Sequence, residues 1–106
     1  MVSHTPKLPM SLSKSPHMLA DELVELSAEF GRLSDALGEI VPLKALEWAT
    51  LRSTAKSDTQ ATNAWNATQR GIREAVIRIK LKAIEKHMSS IRTYLKVLSD
   101  EAYNVM

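Results

Sequence analysis

Apolar residues fall at Leu19, Leu23, Leu26, Phe30, Leu33, Leu37 and Ile40, in alternating steps of four and three. That spacing puts all seven on one face of an α-helix. A second stripe of the same period runs through Ile77, Leu81, Ile84, Met88, Ile91, Leu95, Leu98 and Ala102. Between them, Ser53–Asp58 carries the clearest turn signal of the middle of the chain, and Ser57 with Gln60 fits a capping box. The spacing predicts one helix opening at Ser15–Pro16 and ending near Ser53, and another from about 58 to 102. Ser suits an N-cap, and Pro suits the first helical position because it lacks the N–H that would go unbonded.

The stripes lie about equally far from the turn. Folding there lays stripe on stripe, antiparallel, with Leu23, Leu26, Phe30 and Leu33 against Ile84, Met88, Ile91 and Leu95. The expected fold is therefore all-α: a long, coiled-coil-like helical hairpin over residues 18–106, preceded by a flexible tail at 1–17 that holds three of the four prolines. Gly38 and Pro42 interrupt the first stripe, and a kinked helix or two stacked helices is expected there. Ile77–Lys82 alternates as a strand would, but its flanks have helical period and no Gly or Pro bounds it. Trp48 and Trp65, placed about the turn, are expected to pack together near the hairpin tip.

Composition supports helices. Aromatics are 5% of the 106 residues and glycines number 3, too few of either for a sandwich or barrel. The chain has no cysteine, so disulfides and thiolate sites are excluded. No export signal or membrane-spanning run is visible, and a cytoplasmic location with no membrane contact is expected. His4, His17 and His87 are scattered, and the glycines form no phosphate loop. No catalytic, metal or cofactor site is expected, and the chain reads as a non-enzyme.

Charge is unevenly placed. Residues 18–58 sum to −4 and residues 59–98 to +6. The two halves should attract each other, or the basic half should bind an anion, or both. The candidate anion or nucleic-acid contacts are Arg70, Arg73, Arg78, Lys80, Lys82, Lys86, Arg92 and Lys96, with single- or double-stranded nucleic acid as the ligand. A further apolar set, Trp65, Ile72, Val76, Ile79 and Ala83, lies on another face of the second helix. One partner helix cannot cover both sets, so this set is the candidate oligomer or partner interface, and a homo-oligomer is expected.

Ser27–Ser34, Trp65–Gly71 and Ile79–Leu95 resemble segments of small helical proteins of tailed bacteriophages, over residues 20–102. Some such proteins are oligomeric recombination mediators that bind single-stranded DNA. The resemblance implies a bacterial host cytoplasm. Two functions are thus expected in order: an oligomeric helical interaction protein that binds or modulates a larger protein, and an accessory factor of DNA recombination or replication.

Overall fold

The computed structural model describes residues 15–105, with side chains through residue 102. The tail through residue 14, with His4, lies outside the described residues. Three helices follow in order: α1 Pro16–Thr54, α2 Asp58–Asn66 and α3 Gln69–Val105. α1 and α3 form the hairpin expected from the stripes, and α2 packs on both near the tip. No helix among the described residues is long and apolar enough to cross a membrane.

α1 starts where the sequence places it. The Ser15 hydroxyl accepts a hydrogen bond from the Met18 N–H at 3.3 Å, and Pro16 opens the helix. The helix then runs unbroken through Pro42, so the alternative of two stacked helices is set aside. Gly38 and Pro42 are both exposed. The Gly38 carbonyl, left without its intrahelical donor by the proline, therefore faces water, which lowers the cost of a mid-helix proline.

The tip is held by local polar bonds. The Ala55 N–H donates to the Leu51 carbonyl at 3.0 Å, closing α1. Arg52 reaches forward, donating from Nε to Asp58 Oδ1 at 2.6 Å and from a guanidinium nitrogen to the Ala55 carbonyl at 3.0 Å. Ser57 caps α2 by accepting from the Gln60 N–H at 3.1 Å. Only half of the expected capping box forms, because Gln60 Oε1 accepts from the Lys56 N–H, at 2.6 Å, instead of from that of Ser57.

The second half of the chain corrects the expectation of one helix from about 58 to 102. It breaks at Ala67–Thr68. Thr68 bridges the break: its hydroxyl donates to the Trp65 carbonyl at 2.7 Å and accepts from the Gly71 N–H at 3.0 Å. α3 leaves so close to the end of α2 that a Cβ on Gly71 would sit 2.0 Å from the Trp65 carbonyl oxygen. Glycine is required there by a close approach of two backbones.

The seam follows the two stripes. Leu19, Ile40, Ile77, Ile84 and Ile91 are buried, and the remaining stripe residues from Leu23 to Leu98 are half-buried; Ala102 is exposed. Burying each such aliphatic side chain is worth ~1.5–3 kcal/mol. Near the tip, Ile40, Trp65 and Ile77 form a cluster against which Leu33, Leu37, Trp48, Leu51 and Leu81 pack. Both tryptophans meet there, as their placement about the turn implies.

Candidate functional site: a polar lock at the tip and an open face

Two charged residues occupy seam positions at the same level of the hairpin. Lys44 continues the α1 stripe one step beyond Ile40, and Glu74 precedes Ile77 on α3. Glu74 is only 5% exposed. Its carboxylate accepts from Lys44 Nζ at 3.0 Å, from Trp65 Nε1 at 3.1 Å and from Arg78 at 3.2 Å. The three donors come from α1, α2 and α3, so one carboxylate ties all three helices together. Lys44 also lies 5.9 Å from the Trp65 ring centre. Burial alone would push the Glu74 pKa up; the bonds from Lys44, Trp65 and Arg78 outweigh it and hold the carboxyl below its ordinary range. Every bonding partner of this carboxylate is a structural neighbour, and the group is closed to solvent. Its physical role is to fix which residues meet at the tip.

Trp65 therefore does not belong with the outward apolar set in which the sequence places it. It is fully buried, on α2, with its N–H bonded. Ile72, Val76, Ile79 and Ala83 are on α3 and are exposed, the first three at 53%, 43% and 69%.

The hairpin has two unlike faces. Residues three positions after the stripe residues Leu19, Leu26 and Ile40 (Glu22, Glu29, Leu43) share one flank of α1, and the corresponding α3 flank carries Lys80, His87 and Tyr94. His87 Nε2 lies 3.1 Å from Glu22 Oε1, so these two flanks look the same way. On the other side, Val41, Ala45 and Trp48 line a groove of about 410 Å³ with Thr62 of α2. Trp48 Nε1 donates to Thr62 Oγ1 there at 3.3 Å. α2 thus covers one face near the tip and leaves the opposite one open.

The open face is apolar near the tip. Cross-helix pairs fix its level: Lys44 meets Glu74, and Glu47 meets Arg70. Leu43 and Leu46, each one residue from these pairs, therefore come level with residues 71–76 of α3, where Val76 stands on this face; Ile72 and Ile79 share the outer side of α3 with Lys86. Leu43 is 39% and Leu46 70% exposed. Around this patch the charges are unevenly placed, with Glu25, Glu29 and Glu39 against the one base Arg32 along α1 and Arg73 and Lys80 along α3.

The eight candidate anion contacts divide. Arg70 pairs with Glu47, and Arg78 with Glu74. Arg73, Lys80, Lys82, Lys86, Arg92 and Lys96 are exposed and have no carboxylate partner among the described residues. Of these, Arg73 and Lys80 border the open face, while Lys82, Lys86, Arg92 and Lys96 lie around the outer and opposite flank by the helical period. The attraction expected between the acidic and basic halves is mixed in sign: Glu47–Arg70 follows it, but Lys44–Glu74 reverses it, with the base on α1. Among the described residues, no group of three or more His, Cys, Asp or Glu is placed to hold a metal ion. Comparison of the chain with known protein families, with curated proteins and with solved structures finds no match.

Proposed function

We propose that this chain is a non-enzymatic helical interaction module that self-associates and docks on a larger protein. One observation carries the reading. After the α1–α3 seam is closed, Leu43, Leu46, Ile72, Val76 and Ile79 remain exposed at helical spacing. Bulky aliphatics left on the open face and the adjoining outer side of α3, rimmed by charge, are the composition of a docking surface rather than of a solvated one. The likeness to small helical phage proteins is in keeping with such a role in a bacterial cytoplasm. The test is capture of proteins from nuclease-treated host lysate by the tagged chain and by its Ile79→Glu variant. A defined protein retained by the first and lost by the second supports docking; identical captures contradict it.

A second reading has its own observation. Lys82, Lys86, Arg92 and Lys96 lack carboxylate partners and follow one flank of α3 over ~21 Å, at ~1.5 Å per residue. A nucleic-acid backbone is the ligand that row would suit. Binding to DNA or RNA at low salt that falls steeply as salt rises, and falls again in Lys82→Ala with Lys86→Ala, supports it. Absence of binding at low salt removes it.

A further inference from the structure

We propose that the open face, the one opposite α2, is a two-fold dimer interface with a second copy of this chain, and that the two hairpins pair with their tips at the same end. This specifies the self-association in the function proposed above and rests on it.

The argument starts from what the face carries. Its apolar centre is built from both long helices: Leu43 and Leu46 of α1 and Val76 of α3, all exposed. Its two edges have opposite sign. The α1 edge carries Glu25, Glu29 and Glu39 against one base, Arg32, and the α3 edge carries Arg73 and Lys80. Neither Glu39 nor Lys80 has an ion-pair partner among the described residues. A surface with an acidic edge and a basic edge about an apolar centre is complementary to itself.

Two rotations bring such faces together. Rotation about an axis running across the helices lays α1 on α1 and α3 on α3, acid on acid and base on base. Rotation about an axis along the helices lays α1 of each copy on α3 of the other. The acidic α1 flank of each copy then faces the basic α3 flank of the other, Arg32 excepted, and neighbouring helices are antiparallel, as in a four-helix bundle. This second arrangement closes on itself, with each patch used once by each copy. Because it keeps the level of each residue along the axis, the register inside one hairpin carries over to the contact between hairpins. Lys44–Glu74 and Glu47–Arg70 set that register at the tip. Glu39 of one copy consequently lies between the levels of Arg73 and Lys80 of the second copy, within a turn of Lys80. The apolar centres meet at the same level, Leu43 and Leu46 of one copy on Val76 of the other. α2 lies on the far side of each hairpin and obstructs nothing.

Sedimentation velocity of the whole chain from about 1 to 100 µM tests the proposal, with helicity followed by circular dichroism. The wild-type chain sediments as a dimer. Leu46→Glu, at a side chain 70% exposed in the single chain, sediments as a monomer with unchanged helicity. Glu39→Lys and Lys80→Glu each weaken the dimer at least about tenfold, because each sets like charges against each other across the interface. The double variant Glu39→Lys with Lys80→Glu recovers the dimer to within about threefold of wild type, since the pair is restored with its signs exchanged. A wild-type monomer at 100 µM overturns the proposal. So does a dimer indifferent to Leu46→Glu, or a double variant as weak as the singles. A monomer that still captures a protein from lysate overturns the dimer alone, whereas a dimer that captures none contradicts docking on a larger protein and leaves the paired faces standing.

Discussion

Changing Glu74 to Gln probes the lock that ties the three helices together. The amide keeps the size of the side chain, and its oxygen can still accept from Trp65 Nε1. What is lost is the negative charge that Lys44 and Arg78 bond at 3.0 and 3.2 Å. A hydrogen bond to a charged group contributes ~1.5–3 kcal/mol. The Lys44 bond belongs in that range, because Glu74 is buried and the lysine side chain is 36% exposed. Arg78 is more than half exposed, so its share falls to ~0–1 kcal/mol. Glu74→Gln should therefore cost ~1.5–4 kcal/mol at pH 7, read from urea unfolding by circular dichroism. The pH dependence supplies the sign check. The folded-state pKa of Glu74 lies below its ordinary value of 4.5, so its contribution is complete above that value and is lost as pH falls through the folded pKa. The gap between wild type and variant should accordingly narrow in acid. A variant within ~0.5 kcal/mol of wild type at pH 7, or a gap undiminished in acid, refutes the assignment.

Other outcomes follow from single contacts. Gly71→Ala would gain roughly 1 kcal/mol from helix propensity at an unconstrained site, but here it should destabilise by ~1–3 kcal/mol, because the new Cβ meets the Trp65 carbonyl oxygen; a raised melting temperature would show that α2 and α3 do not approach so closely. Ile91→Asp places a carboxylate at a fully buried seam position and should cost several kcal/mol, enough to unfold the chain or shift its melting by well over ten degrees; a shift of only a few degrees would mean that the stripe is not buried. Ile79→Glu, in contrast, falls at an exposed site and should leave stability within ~0.5 kcal/mol of wild type while abolishing protein capture.

The seam was legible in the sequence because it is long and regular. Fourteen residues from Leu19 to Leu98 step by four and three, and all are buried or half-buried in the hairpin. The start of α1 was equally plain from Ser15–Pro16, a cap followed by a residue with no N–H to leave unbonded. The break at Ala67–Thr68 was not, since neither residue stops a helix by itself. Its signal was the pairing of Thr68 with Gly71 three residues on, a hydroxyl that caps and a glycine that lets two backbones touch. Missing it carried the apolar stripe of α3 back onto α2 and put Trp65 on a surface, when its indole is inside. The lock itself left a trace that stripe counting passes over. Lys44 and Glu74 stand at seam positions, where a lone charge would be costly, and the hairpin brings the two to one level. A charge on each of two facing stripes, one on either side of a turn, is a pairing that sequence reveals only once the fold is assumed. The two unlike faces were invisible for a different reason: they depend on which side α2 takes, and that depends on the break.

The arrangement of two hairpins with their tips together is tested most directly by the distance between nitroxide labels at Lys56→Cys, an exposed position in the turn between α1 and α2. Pulsed electron–electron resonance on the labelled chain at dimer concentration measures it. With long helices packed ~10 Å apart and both tips at one end, the labels should lie within about 40 Å of each other. Hairpins paired head to tail would separate them by roughly a helix length, ~55 Å for the 37 residues of α3. A distribution centred in the shorter range, lost in Leu46→Glu, is the result the account predicts; one centred near the longer distance, or no distance between copies at all, would contradict it.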